Sequence, residues 1–279
     1  MTPYPTLALQ ELHDGGGMPL VLLHPFPLDS RVWKPMAEAL PFGVRAIAVD
    51  SPGSGKSDIG GLAPSLDLAA DAIYANLSSH GVGNAIVCGM SMGGYTALAL
   101  ARRYPGFAAG LALIDTKAVA DLPGAADNRI RLAHDIDMSQ SVDPVMAITA
   151  SLLGRTSLEQ RRNLLPILDA WIRNQLPAGV AWSLRAMAAR PDQTSVLSQF
   201  RGPVSVIVGE EDKLSPVPDA EAMARTAHNA NLTIIPQAGH LSAFEQPQMV
   251  ANALSLLHAQ VVPHRRAPNE PKRRGFFGR

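Results

Sequence analysis

With 279 residues, of which 47% are hydrophobic and 17% charged, the chain has a globular composition and enough material for one large α/β domain or two small ones. A wholly disordered chain is excluded, and 24 basic residues against 24 acidic ones give no bulk charge that names a nucleic acid as partner. The single cysteine, Cys88, excludes an intrachain disulfide and argues against a thiolate metal site. Met1 to Gly17 lacks a basic stretch followed by an apolar run, and no apolar stretch approaches the roughly 18 residues that span a bilayer. A soluble, cytoplasmic protein is expected.

Continuously apolar runs of strand length alternate with helical patterns, which predicts a mostly parallel sheet with helices on both faces. Leu20 to Leu23 is the first run and ends at His24-Pro25-Phe26-Pro27; Val44 to Val49 is the second and ends at Asp50. Ala85 to Cys88 is the third, followed by a tight Gly/Ser turn and a helix from about Tyr95 to Arg103. Gly110 to Ile114 ends at Asp115, Val204 to Val208 ends in Gly209-Glu210-Glu211-Asp212, and Leu232 to Ile235 is followed by Gly239-His240. Between the fourth and fifth runs lies a long stretch with helical periodicity only. Its expected helices are Ala133 to Ser139, Pro144 to Leu153, Leu158 to Asn174 and Ala178 to Ala189. Residues 1–116 and 202–262 are expected to form the α/β core, and 117–201 a helical cap over the sheet edge where such folds bind ligands. The stretch 263–279 holds six Lys and Arg residues against Glu270 alone and is expected to be a flexible basic tail.

Gly89-Met90-Ser91-Met92-Gly93 carries the chemistry. A side chain lifted above a parallel sheet needs a sharply bent residue with positive φ, and crowding around the bend demands very small neighbours two positions either side. The flanking strand and helix are the context that a G-x-S-x-G elbow requires. Serine is a weak nucleophile and needs a base. His240 follows the last strand, at the same sheet edge as Ser91, and is the expected base; the histidines in helical, polar or tail settings are not. The carboxylate that orients the base is expected to be Asp212, with Asp115 as the rival and Glu210 and Glu211 as solvated loop residues. The free N–H groups of the following helix point at the reacting centre, so the Met92 N–H is expected to stabilise an oxyanion.

These motifs, with Asp50-Ser51-Pro52-Gly53-Ser54-Gly55-Lys56-Ser57, resemble the α/β-hydrolase superfamily over about residues 18 to 260. The resemblance implies an α/β-hydrolase fold and a second oxyanion donor at the Phe26 N–H. Where the family usually has His-Gly, this chain has His24-Pro25, and proline lacks an N–H. Met92-Gly93-Gly94-Tyr95 and Gly239-His240-Leu241 with Glu245-Gln246-Pro247 look like small carboxylesterases and 3-oxoadipate enol-lactonase-like proteins. A serine hydrolase for a small ester or lactone is therefore expected, with no cofactor and no metal. Carbon–carbon bond hydrolysis, amide cleavage and perhydrolysis by the same triad are the alternatives, and a non-catalytic receptor is the third. Gly53 to Ser57 mimics the end of a P-loop, but Asp50 stands where that motif needs glycine, so the glycines are read as a tight turn. Cys88 is read as core. Trp171 and Trp182 are candidates for the pocket, and Arg129, Arg131, Arg155, Arg173 and Arg185 for gripping a substrate carboxylate.

Overall fold

Adjacent residues of a strand point to opposite faces, and here both sets are apolar. Leu20 and Leu22 pack with Ile86, Cys88 and Ala112 in one core, while Val21 and Leu23 pack with Val87, Leu111 and Leu113 in the other. A computed structural model describes residues 4–262, so the expected basic tail lies outside the described residues. The strands are β1 (Leu9–His13), β2 (Gly15–Leu23), β3 (Gly43–Val49), β4 (Ala85–Met90), β5 (Ala108–Ile114), β6 (Val204–Gly209) and β7 (Ala230–Ile235). They form one seven-stranded sheet in the order β1-β3-β2-β4-β5-β6-β7. All neighbours are parallel except β1 against β3.

The two cores account for the helices on both faces. Ile73, Leu77 and Leu98, from helices Leu66–Ser79 and Met92–Arg103, fill one side. Val250, Leu254 and Leu257, from helix Pro247–Val261, fill the other. The Leu66–Ser79 helix opens on Ser65, whose hydroxyl accepts from the Leu68 N–H.

All six expected strands are present. β1 was not anticipated: Leu9 to His13 is short, polar in part and incompletely buried, so it lacks the apolar run that marks an interior strand. The stretch between β5 and β6 is helical, with different boundaries. Its first helix runs Pro123–Ser139, with proline at the first position where its missing N–H costs nothing. Asp143–Leu152 is wound as 3-10 turns. The single helix expected from Leu158 to Asn174 is two, Arg155–Gln160 and Leu164–Arg173. Pro166 explains the break: it clashes with a preceding helical carbonyl unless it sits in a first turn, so a helix begins at Leu164. Pro177–Ala188 follows nearly as expected, and Thr194–Gln199 is an unforeseen short turn of helix.

Because β2 to β7 are parallel, the residues that follow their C-terminal ends gather at one edge. His24, Asp50, Ser91, Asp115, Asp212 and His240 all stand there. The loop after β3 is the tight turn read from its glycines, with φ +75 at Gly53 and +55 at Gly55. The Asp50 carboxylate accepts the N–H groups of Ser30 (2.8 Å) and Lys56 (3.0 Å), and a Cβ at Gly55 would lie 2.3 Å from Asp50 Oδ2. A carboxylate fills the space where a P-loop would cradle a phosphate.

Candidate active site

Ser91 has φ 53 and ψ −115, a conformation held only because its surroundings enforce it. A Cβ at Gly89 would sit 2.1 Å from Gly93 O, and one at Gly93 2.0 Å from Leu23 O, so neither position admits a side chain. The helix of the elbow starts at Met92, earlier than expected, and leaves its first N–H groups pointing at the bend. The Thr116 hydroxyl donates to Ser91 O (2.8 Å) and the Ser91 N–H donates to Ile114 O (2.9 Å), which fix the bend against β5.

The three expected residues come together. Ser91 Oγ lies 2.8 Å from His240 Nε2, and His240 Nδ1 lies 2.8 Å from Asp212 Oδ2. The other oxygen of Asp212 accepts the N–H groups of Leu214 (2.8 Å) and Ser215 (3.0 Å), which fixes the carboxylate plane. With Nδ1–H donating to Asp212, the lone pair of Nε2 faces the serine hydroxyl. All three residues are buried, and Ser91 and His240 line a cavity of about 260 Å³.

Phe26 lines the same cavity. Neither its N–H nor that of Met92 donates to an acceptor among the described residues. His24-Pro25 does not collapse the loop. His24 Nε2 accepts the Ser51 N–H (3.0 Å) and Nδ1 donates to Pro25 O (3.0 Å), so this buried imidazole ties the loop after β2 to the loop after β3. Sequence reasoning assigned His24 no role of its own; only its direct attachment to an apolar strand signalled burial.

Asp115 does not bond the imidazole. It is fully buried with φ 46, and its two oxygens accept the N–H groups of Gly209 and Ser242, each at 2.8 Å. It thereby joins the loop that carries Asp212 to the one that carries His240. Burial, and next the nearby charge of Asp212, push its carboxyl up to about 7, against the pull of His240 and the two N–H groups.

Glu211 is not simply a solvated loop residue: it accepts both the N–H (2.8 Å) and the hydroxyl of Thr156. Glu210 is exposed, as expected. Glu245, buried, accepts the N–H groups of Gly154 (2.8 Å), Gly239 (2.8 Å) and Leu241 (3.3 Å) and the Ser157 hydroxyl. Burial raises its carboxyl above the ordinary range despite these four donors.

Of the five arginine candidates, Arg129 alone lines the cavity. Arg131, Arg173 and Arg185 pair with Asp135, Asp143 and Asp137 at the surface. Arg155 lies outside the cavity wall. The two tryptophans pack instead. Trp171 lies against Phe244 and beneath Arg31, and Trp182 donates to Leu62 O (2.8 Å). Cys88 is buried, and that burial pushes its thiol up. No helix among the described residues is long and apolar enough to cross a membrane.

The chain is 32% identical over 244 residues to a pimeloyl-[acyl-carrier protein] methyl ester esterase of Aromatoleum aromaticum, covering 82% of this chain and 93% of that one. A thermophilic esterase from Thermogutta terrifontis, solved with malate bound, superposes with a TM-score of 0.87 at 34% identity, covering 91% of this chain and 93% of that one. The enol-lactonase from Burkholderia xenovorans LB400 shares the fold at a TM-score of 0.79, 21% identity and coverage of 91% and 96%. The model of the alpha/beta hydrolase family matches residues 20–253. With an esterase at 34% identity over nearly the whole fold, the chain is a hydrolase and belongs to the α/β-hydrolase family.

Proposed function

We propose that the protein is a serine hydrolase that cleaves a small carboxylic ester or lactone by acyl transfer. The observation that carries this reading is the unbroken relay from Asp212 through His240 to Ser91, 2.8 Å at each step, opening on a cavity. The Ser91 oxygen attacks the carbonyl carbon while its proton passes to His240 Nε2. The Phe26 and Met92 N–H groups receive the tetrahedral oxyanion. Collapse breaks the bond to the alcohol, which leaves with the proton from His240, and the acyl group remains on Ser91. A water then attacks the acyl carbon, giving its proton to His240, and the serine is released with the acid. Asp212 stays ionised and stabilises the imidazolium formed in each half of the cycle.

Relatives named as esterases, and a lactonase with the same fold, support an ester or lactone carbonyl as the substrate. In this reading residues 117–201 form a cap that roofs the cavity, since Leu132, Val145, Ile148 and Leu184 from that stretch line it together with Ser91 and His240. Turnover of p-nitrophenyl butyrate tests the proposal. Wild-type protein is expected to hydrolyse it, and Ser91→Ala to lose at least about 10³ of that rate. A fluorophosphonate is expected to add once to the wild type by intact mass and not to Ser91→Ala. Equal hydrolysis by the two proteins overturns the reading.

A further inference from the structure

Resting on the acyl-transfer reading, we infer that the cavity contains an anion subsite built on Arg129, so that the preferred substrate is an ester whose acyl chain ends in a carboxylate. The cavity wall holds two cationic side chains, Arg129 and Lys117, and no Asp or Glu among the described residues. Its remaining surface is largely apolar, with Leu132, Val145, Leu152 and Met187 typical of it. A formal charge facing such a wall is poorly solvated unless a counter-charge enters with the ligand.

Arg129 has an acidic neighbour, but that neighbour is shared. Arg129 Nε donates to Asp121 Oδ2 at 2.7 Å, while Arg190 holds the same carboxylate at 2.8 Å. Burial would raise the Asp121 carboxyl, yet the bonds from Arg190 and Arg129 hold it below the ordinary range, so it is a carboxylate at neutral pH. One negative charge thus stands between two guanidinium groups. Arg190 is the more deeply held of the two, although its buried Nε has no partner among the described residues. Its side chain is 1% exposed, lies 3.9 Å over the Tyr95 ring, and also donates to Met187 O and Val119 O. The surplus positive charge therefore belongs to Arg129, whose side chain is 23% exposed. Its Nη1 reaches only the Met187 sulfur, at 3.6 Å, a weak acceptor. Apart from Nε, its N–H groups meet no oxygen among the described residues. Asp121 anchors the Nε edge, and the outer fork remains to grip a planar oxyanion. Lys117 adds a second positive charge to the wall, its ammonium held only by Leu214 O at 3.4 Å.

An acyl chain with its ester carbonyl at Ser91, methylenes against the leucines and a terminal carboxylate at Arg129 would use each of these lining groups. Monomethyl adipate and methyl hexanoate differ chiefly in that terminal carboxylate and are the probes, followed by pH-stat titration at constant ionic strength. Wild-type protein is expected to favour the half-ester in kcat/KM by at least tenfold. Arg129→Gln is expected to cut that ratio at least tenfold, mainly through KM, and Arg129→Lys to restore part of it. Ser91→Ala is expected to abolish both activities. Turnover of both esters with a ratio that Arg129→Gln changes by less than twofold overturns the anion subsite and leaves acyl transfer standing.

If neither ester is turned over above the Ser91→Ala control, acyl transfer falls, and calorimetric binding of adipate and hexanoate decides the subsite alone. A tenfold preference for adipate that Arg129→Gln removes sustains it, and equal binding of the two acids overturns it. Thermal unfolding of each variant separates a folding defect from lost recognition.

Discussion

At the scale of single residues, backbone strain concentrates at Ser91. A non-glycine residue at φ 53 costs about 1–3 kcal/mol, and here Gly89, Gly93 and the Thr116 bond hold it there. The sequence announced this site because only glycine survives at the two flanking positions. It favoured Asp212 over Asp115 from loop order alone, although both close apolar strands at the same edge. Register decided: Asp212 reaches His240 Nδ1, whereas Asp115 is satisfied by two backbone N–H groups. Asp115 makes a prediction of its own. Its carboxyl is raised from 3.8 to about 7 in the folded protein. Between these values the folded chain holds a proton that the unfolded chain has lost. The resulting stability is complete below about 4 and lost as pH rises through 7. Asp115→Asn removes this contribution and leaves other titrations in place. The melting temperature of the wild type is therefore expected to fall more steeply than that of Asp115→Asn between pH 5 and pH 8, by scanning calorimetry. Parallel pH profiles would show that the proton is not bound there.

At the scale of elements, Glu211 and Glu245 tie the segment Gly154 to Ser157 to the loops that carry Asp212 and His240. Four donors converge on Glu245 with no other acceptor at hand. Glu245→Ala leaves Gly154, Gly239 and Leu241 N–H groups and the Ser157 hydroxyl without it, and each unmet buried donor costs about 1–3 kcal/mol before water enters. A loss of at least about 3 kcal/mol is expected in urea unfolding, together with a fall in esterase kcat as the His240 loop loosens. A variant within 0.5 kcal/mol of wild type would show that the clasp does not hold these loops. None of this was legible beforehand, because a glutamate in a loop reads as solvated until its donors are in place. The split of 158–174 into two helices was legible in principle, from Pro166.

At the scale of the whole molecule, the cavity draws its walls from two different stretches. Ser91, His240 and Phe26 meet the cavity from the sheet edge, while most of its apolar lining comes from 117–201. Ile148→Trp narrows the cavity from that stretch and is expected to shift the acyl preference of a p-nitrophenyl ester series from longer to shorter chains by about tenfold. The rate of fluorophosphonate labelling at Ser91 is expected to stay within threefold. An unaltered chain-length profile would place selectivity elsewhere.

The sequence by itself determined the fold family and the strand-turn-helix around Ser91, and it set Asp212 and His240 at the same sheet edge. Strands with apolar residues on both faces can only lie inside a helix-covered sheet, and glycine spacing records backbone crowding directly. Tertiary structure alone decided that Asp115 bonds backbone N–H groups and not the imidazole, that His24 bonds the Ser51 N–H, and that Arg129 rather than four other arginines reaches the cavity. Those assignments depend on which side chains meet across dozens of residues, and local pattern carries no record of such distances.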